Sequence, residues 1–184
     1  MTSTSIRPWF DSVAPPCAST GPVGLNGFRG AMRQLAGAVT IVTSSDEQGA
    51  CGLTATAVCS LSADPPRILC CVNLAGRTFQ VIGQSRRLAI NVLQAGQMDL
   101  AMAFAGREEK TFDSEHWTHA ATGAPILREA LVSFDCAVAE MFVMPTHALI
   151  VGEIRHISYL DRLATPLAYQ NGQYMTFAAT SAGR

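Results

Sequence analysis

The stretch Gly52-Leu-Thr-Ala-Thr-Ala-Val-Cys-Ser-Leu-Ser-Ala-Asp-Pro-Pro66 decides how the rest of the sequence is interpreted. Its small and β-branched residues predict a strand from Cys51 to Val58. The Pro65-Pro66 pair predicts a break, because proline cannot continue a regular element. Small side chains along a strand also let a planar ring approach the backbone closely. Taken alone, this segment is better described as an ordinary strand with threonines on one face.

Hairpin signals surround this stretch. The β-branched run from Ala38 to Thr43, the turn from Asp46 to Gly49 and the Cys51 strand together predict a β-hairpin. Asn171-Gly172 between two apolar runs predicts a second hairpin, and Gly152 predicts a bulge within a long strand. The other predicted elements are strands at 67–73, 88–93, 131–140, 147–157, 167–170 and 174–177, helices at 28–35, 77–84 and 98–104, and a polar loop at 106–125.

Many strands and few, short helices predict a mainly β fold. Strands joined by hairpins form antiparallel sheets that close into barrels, whereas a doubly wound fold needs longer crossover helices. The strand at 67–73 is apolar on both faces and is predicted to be central. Residues 1–26, rich in Ser, Thr, Pro and Gly, are predicted to form a flexible N-terminal arm, and residues 27–180 a single domain.

The composition argues against several classes of function. The net charge of −1 and the scattered basic residues argue against a nucleic-acid partner. No apolar run approaches the ~18 residues of a membrane helix, and no secretory signal is recognisable. The six cysteines show no metal-ligand spacing, so we expect reduced thiols, no metal and a cytoplasmic protein. Charged residues make up only 15% of the chain, which indicates that a partner subunit or ligand covers part of the surface.

Six features occur in the order and spacing of a known family. They are Gly37-Ala-Val-Thr-Ile-Val-Thr43 after an early helix, the Gly52–Pro66 stretch, Asn73 followed by Gly76-Arg77-Thr78, Leu88-Ala-Ile-Asn-Val-Leu93, Phe104-Ala-Gly106, and His147-Ala-Leu-Ile-Val-Gly-Glu153 followed by Pro166-Leu-Ala-Tyr169 and Gly172-Gln-Tyr174. Each feature is weak alone, but their joint order is specific. Over residues 28–177 the chain resembles the flavin reductase components of two-component monooxygenases.

This resemblance implies a split β-barrel, a Greek-key-like antiparallel FMN-binding barrel with a few short helices, in a homodimer. It implies FMN or FAD as the flavin and NADH or NADPH as the co-substrate, with hydride passing from the nicotinamide to the flavin ring. The cofactors carry that chemistry, and the protein supplies orientation and electrostatics. The resemblance further implies that the reduced flavin passes to a partner monooxygenase.

The ring site is predicted from the resemblance. In the family, the positions of Thr54, Ala55, Thr56, Ala57 and Ser60 line the isoalloxazine ring and the chain to the phosphate. The alternative is that the segment is a plain strand, as described above.

The phosphate site is predicted at Asn73, Arg77 and Thr78. Here a strand leads through a glycine turn into a helix, and the free N–H groups at a helix start bind anions. The charge of Arg77 and the hydroxyl of Thr78 favour contact with a phosphate. The alternative is a solvent-facing Arg77 and a threonine that caps the helix.

Further cofactor contacts are predicted, each with a structural alternative. By resemblance, Asn91 contacts the ring edge, although an Asn in an apolar strand also makes structural hydrogen bonds. Phe104, Ala105 and Arg107 are placed beside the phosphate or ribityl chain, although the same segment also ends a helix. Tyr174 is predicted to pack on the cofactor, or to be an ordinary sheet residue.

His147 is the predicted catalytic residue. In the family a histidine here, often in Gly-Asp-His, lies on the nicotinamide side of the flavin. This chain has Pro145-Thr146-His147, which removes the carboxylate from the triplet. Nicotinamide binding is therefore favoured over proton transfer, with a structural histidine as the alternative.

Two rival functions are compatible with the sequence. The first is a reductase that retains its flavin and passes electrons to a bound acceptor such as a cobalt-corrinoid. The second is a flavin- or haem-binding protein without turnover. A tightly retained flavin would favour the first rival, and failure to oxidise NADH with added flavin would favour the second.

Overall fold

The structure is a computed structural model that describes residues 22–106, 108–160 and 164–177. Its helices are α1 (Leu25–Met32), α2 (Arg77–Ser85) and α3 (Met98–Ala105), with a 3-10 helix at Ala95–Gln97. Its strands are β1 (Gly37–Ala38), β2 (Thr40–Asp46), β3 (Gly49–Ala55), β4 (Val58–Ala63), β5 (Pro66–Asn73), β6 (Arg87–Val92), β7 (Trp117–His119), β8 (Pro125–Leu127), β9 (Val132–Val143), β10 (His147–Tyr159), β11 (Leu167–Gln170) and β12 (Gln173–Thr176).

Antiparallel pairing organises these strands. Seven of them form one sheet in the order β3-β2-β6-β9-β10-β5-β4. A three-stranded sheet has the order β1-β11-β12, and β7 pairs with β8. Strand β5 has a neighbour on each side, as its two apolar faces predict. The bulge predicted at Gly152 is confirmed, because the β9–β10 register shifts between Val151 and Gly152.

The two edge strands of the seven-stranded sheet, β3 and β4, are consecutive in the chain. Strand β3 ends at Ala55 and β4 begins at Val58, so only Thr56 and Ala57 connect them. A connection of that length spans at most about 11 Å, so the two edges of the sheet must meet here. The edges are not paired with each other. The sheet therefore curls into the predicted split antiparallel barrel, and we call the Thr56–Ala57 connection its seam.

Alternate residues of the strands fill the interior of the barrel. On β5, Ile68, Cys70 and Val72 are buried, whereas the residues between them are only half-buried. Ile82 of α2 packs against the same core. Burial raises the pKa of the Cys70 thiol to about 12. This cysteine is therefore an apolar core side chain and not a reactive thiol.

A second core lies on the outer face of strand β2. Ile41 belongs to this outer core, whereas its neighbour Val42 belongs to the barrel interior. Adjacent strand residues point to opposite faces, so the two cores lie on opposite sides of β2. The outer core contains Phe104 of α3 and Trp117 of β7, whose ring centroids are 5.5 Å apart. It joins α3 to the barrel wall.

Two sequence predictions are wrong in this region of the fold. The strand predicted from Cys51 to Val58 ends at Ala55, and a separate strand, β4, follows the seam. Strand β4 is an edge strand and mostly exposed, so its sequence lacks the apolar alternation that identifies strands. The loop predicted at 106–125 contains β7 and the first residue of β8.

Helix α1 belongs to a separate compact unit that ends at Met32. It begins at Leu25, three residues before the predicted start, so the predicted boundary between residues 26 and 27 falls inside it. Residues 1–21, most of the predicted flexible arm, lie outside the described residues. Among the helices that the structure describes, none is both long and apolar enough to cross a membrane.

The bulge at Gly152 gives a test of the packing between β10 and β9. A Cβ at this position would lie 2.9 Å from the Cys136 Cβ. We therefore expect Gly152→Ala to lower the free energy of unfolding by about 1–3 kcal/mol, measured by urea denaturation. In the matched control Gly83→Ala, the new Cβ meets nothing within 4 Å on helix α2. That change should raise stability by about 0.5–1 kcal/mol, and equal effects of the two substitutions would contradict the packing.

Candidate functional site

Thr54 and Ala55, which end strand β3, are both tied to neighbouring elements. Thr54 Oγ1 donates a hydrogen bond to the Ala101 carbonyl oxygen of α3 at 2.7 Å. Thr40 Oγ1 donates to the Ala55 carbonyl oxygen at 2.7 Å. The Thr54 hydroxyl thus has a protein partner and holds α3 against the barrel. The two residues support the seam that follows them.

Thr56 and Ala57, the seam itself, have exposed side chains. On one side, a Cβ added to Gly37 of β1 would lie 3.1 Å from the Thr56 Cβ, so β1 packs directly on the seam. On the other side, the Cys71 N–H of β5 donates to the Ala57 carbonyl oxygen at 3.0 Å. The seam therefore presents small side chains at the surface, between the three-stranded sheet and β5.

Asn73 and His147 face each other at the end of the β5–β10 ladder, where they are direct partners in the register. Both side chains are exposed. Asn73 Oδ1 accepts the Ala75 N–H at 2.8 Å, which fixes the turn after β5. His147 Nδ1 lies 2.9 Å from Thr146 Oγ1, so a hydroxyl is its neighbour in the triplet. This pair lies on the β5 side of the seam, close to Ala57.

Arg77 and Thr78 begin helix α2 beside the β2–β3 hairpin. Arg77 Nη2 donates to Asp46 Oδ1 at 3.1 Å. The N-cap of α2 is Gly76, which supplies no side-chain cap, so the alternative in which Thr78 caps the helix is wrong. Thr78 is buried. Burial raises the pKa of the Cys51 thiol, and the Thr78 hydroxyl only partly offsets that rise. Of the two residues, only Arg77 reaches the surface.

Phe104 and Ala105 end helix α3. Phe104 is buried in the outer core and borders a groove of about 250 Å³, whereas Ala105 is exposed. Lys110 Nζ donates to the Gly106 carbonyl oxygen at 2.8 Å, and this cation stabilises the helix end. The backbone of residues 104–106 therefore ends a helix, as the structural alternative predicts. Arg107 lies outside the described residues.

Tyr174 of β12 lies on the opposite side of the seam from Asn73. Gly37, which packs on the seam, pairs with Tyr169, and Tyr169 pairs with Tyr174. The centroids of the two tyrosine rings are 5.1 Å apart. Burial, with a smaller contribution from Tyr169, raises the pKa of the Tyr174 phenol. Tyr174 also borders a groove of about 290 Å³ together with Met98 of α3.

Asn91 lies inside the protein, where it is fully buried. Its Nδ2 donates to the Ile41 carbonyl oxygen at 3.1 Å and to Thr43 Oγ1 at 3.3 Å. Its Oδ1 accepts the Leu127 N–H at 2.9 Å and the Ser133 hydroxyl at 2.8 Å. These four bonds use the whole hydrogen-bonding capacity of the side chain. The ring-edge contact predicted for Asn91 is therefore wrong, and its structural alternative holds.

The structure brings most of the predicted residues to the surface around the seam. Ser60 is exposed on β4, opposite Ile68 of β5. Sequence analysis assigned no role at the site to Gly37, Asp46 or Lys110, which contact the predicted residues Thr56, Arg77 and Phe104 only through the fold. The residues placed at the seam or on the strands that adjoin it are Thr54, Ala55, Thr56, Ala57, Ser60, Asn73, His147 and Tyr174. The Arg77 guanidinium contacts the Gly49 carbonyl oxygen, at the other end of β3.

The loop before β7 brings three possible metal ligands together. Ligand atoms of Asp113, Glu115 and His116 lie within 4.8 Å of one another. All three side chains are exposed, and Asp113 Oδ1 is already 2.7 Å from His116 Nδ1. The His116 backbone N–H, which donates to Asp113 Oδ1, and then the imidazole lower the pKa of Asp113, and the hydrogen bond to Asp113 raises the pKa of His116. The arrangement is accounted for as a surface ion pair.

The chain is similar to proteins of one family. A family model described as "Flavin reductase like domain" matches residues 32–178. The FMN reductase (NADH) RutF of Escherichia coli O157:H7 (strain EC4115 / EHEC) is 39% identical over 141 residues, which are 76% of this chain and 84% of that protein.

Two solved structures extend the comparison. A homologue of nitrilotriacetate monooxygenase component B from Mycobacterium thermoresistibile is 28% identical, with a TM-score of 0.79 over 86% of this chain and 91% of that one. The Streptomyces globisporus C-1027 NADH:FAD oxidoreductase SgcE6 is 26% identical, with a TM-score of 0.79 over 90% of this chain and 100% of that one.

The position of Asn91 predicts how its removal acts. Asn91→Ala leaves the Leu127 N–H and the Ser133 hydroxyl without their buried acceptor, so we expect a loss of about 2–4 kcal/mol in the free energy of unfolding. Urea denaturation measures this change. The folded fraction should keep its flavin dissociation constant within about twofold, which is well under 1 kcal/mol. A stable variant that has lost flavin binding would contradict the structural role.

Proposed function

The chain belongs to the flavin reductase like family, and we propose that it uses NADH to reduce a flavin that it then releases to a partner monooxygenase. The E. coli relative is an NADH-dependent FMN reductase, and the Streptomyces relative is an NADH:FAD oxidoreductase. The mycobacterial relative is a homologue of a monooxygenase component, which supports the partner. FMN and FAD are both within the proposal.

The exposed seam carries this proposal. A flavin needs a wall of small groups against its ring, polar donors at its edge and a cationic or N–H-rich site for its phosphate. Thr56 and Ala57 supply small exposed side chains, and Asn73 supplies an exposed amide two residues beyond Cys71, whose N–H bonds to Ala57. Arg77 supplies charge at a helix start whose N–H groups have no side-chain cap. The donor set therefore fits a flavin phosphate ester.

The flavin and the nicotinamide supply the hydride chemistry, so the task of the protein is to bind and orient them. We propose that Thr56 and Ala57 hold the ring and that Arg77 binds the phosphate. Asn91 is excluded from this set, because its hydrogen bonds are used inside the protein. For His147, whose neighbour is the Thr146 hydroxyl, we propose a contact with the nicotinamide and no proton transfer.

We also propose that the protein is a homodimer. Phe142, Leu149 and Cys71 are direct neighbours across β9, β10 and β5 and form an apolar row. The row lies on the outer face of the barrel, because the residues that alternate with them fill its interior. Phe142 is 48% exposed. A second copy of the chain would cover this row next to Asn73, which ends the same ladder.

A cytoplasmic location is part of the same proposal. The supporting observation is that every cysteine among the described residues is a free thiol. Reduced cysteines are typical of the cytoplasm.

The first test of the proposal is NADH oxidation with added FMN or FAD, comparing the wild type with Ala57→Leu. We expect flavin-dependent NADH oxidation by the wild type. A leucine at the seam places bulk where the ring is proposed to lie, so the KM for flavin should rise about tenfold or more, equivalent to ~1.4 kcal/mol of binding.

Ala63→Leu is the matched control, because Ala63 is exposed at the far end of β4. It should leave the KM for flavin unchanged. Wild-type protein that fails to oxidise NADH with either flavin would refute the proposed activity. Equal KM values for the two leucine variants would refute the proposed ring site.

The proposed dimer is tested by light scattering. The wild type should have about twice the 19.5 kDa mass of one chain. Phe142→Glu places a charge in the apolar row, which is costly to bury, and should shift the protein towards single chains. Tyr159→Glu is the control, because Tyr159 is 74% exposed at the other end of β10. A wild type with the mass of one chain would contradict the dimer.

A further inference from the structure

Arg77 reaches across to the β2–β3 hairpin, 31 residues earlier in the chain. Its Nη2 donates to Asp46 Oδ1 at 3.1 Å and to the Gly49 carbonyl oxygen at 3.3 Å. Asp46 Oδ1 also accepts the Gln48 N–H at 3.0 Å, which fixes the carboxylate in the hairpin turn. The guanidinium that is proposed to bind the flavin phosphate is thus already paired with a fixed carboxylate.

The arginine is the more exposed member of the Arg77–Asp46 pair. The Arg77 side chain is 46% exposed, whereas that of Asp46 is 20% exposed. Only one of the guanidinium nitrogens makes the bonds to the hairpin, and an arginine side chain has five N–H donors. An anion can therefore bind Arg77 without displacing Asp46. It would then bind a cation whose charge Asp46 has partly neutralised.

Charge at the proposed flavin site is sparse. Of the predicted cofactor-binding residues that the structure describes, Arg77 is the one with a permanent positive charge. The uncharged ones are Thr54, Ala55, Thr56, Ala57, Ser60, Asn73, Thr78, Phe104, Ala105 and Tyr174. Asn91 is buried elsewhere in the protein. The strength of phosphate binding therefore depends on how much of the Arg77 charge the phosphate experiences.

We propose that Asp46 is a positioning residue that weakens the hold of Arg77 on the flavin phosphate and so keeps the flavin an exchangeable substrate. This inference rests on the proposed function, in which reduced flavin must leave the protein. The carboxylate holds the Arg77 guanidinium against the hairpin and, through this ion pair, reduces the charge that the guanidinium offers to the phosphate dianion. Binding is then strong enough for turnover and weak enough for release.

The test is a double-mutant cycle on Asp46 and Arg77, read by titrating the protein with FMN and with riboflavin. Asp46→Asn removes the charge but keeps an oxygen that can accept from Gln48 and Arg77. We expect the dissociation constant of FMN to fall about threefold to tenfold, the exchange of bound FMN to slow, and the wild-type affinity for riboflavin, which lacks the phosphate, to be retained.

Arg77→Gln separates this inference from the proposed function. It should weaken FMN binding and leave riboflavin binding unchanged, and in that background Asp46→Asn should have no further effect. If Arg77→Gln leaves FMN binding unchanged, the proposed phosphate site fails. If Arg77→Gln weakens FMN binding but Asp46→Asn leaves it unchanged or weakens it, the role of Asp46 is overturned and the phosphate site stands. A tightening by Asp46→Asn that persists without Arg77, or that also affects riboflavin, equally overturns it.

Discussion

The two-residue connection between β3 and β4 is the constraint on which the rest of the structure depends. These strands are the opposite edges of a seven-stranded sheet, yet only Thr56 and Ala57 separate them in the chain. The sheet must curl until its edges meet, and its alternating residues then enclose a core. Because the edges do not pair, the barrel keeps a seam. The fold thereby creates a surface where the side chains are small and the backbone is accessible.

The seam also explains why the candidate site lies where it does. On one side it packs on Gly37, whose small sheet carries Tyr174; on the other it bonds to β5, which ends at Asn73 beside His147. A ring-shaped ligand bound at this point would meet groups from distant parts of the chain. Thr54, next to the seam, stabilises the fold through its hydrogen bond to α3, whereas the exposed residues of the seam are available to a ligand.

The sequence predicted the elements whose signals are local. The β-branched strands, the Asn171-Gly172 hairpin and the helices at α2 and α3 are found near their predicted positions. Strand β4 was missed because an exposed edge strand of small polar residues has no apolar alternation. Asn91 was misassigned because a ligand-binding and a structural asparagine look identical in sequence. Its partners lie 36 to 50 residues away, so only the fold distinguishes the two.

We propose that the flavin binds at the seam with its phosphate towards α2. A crystal structure of the protein with FMN tests this claim most directly. The claim predicts the isoalloxazine ring in contact with Thr56 and Ala57, and a phosphate oxygen within hydrogen-bonding distance of Arg77. FMN bound in the groove that Phe104 borders, with no contact to the seam, would contradict it.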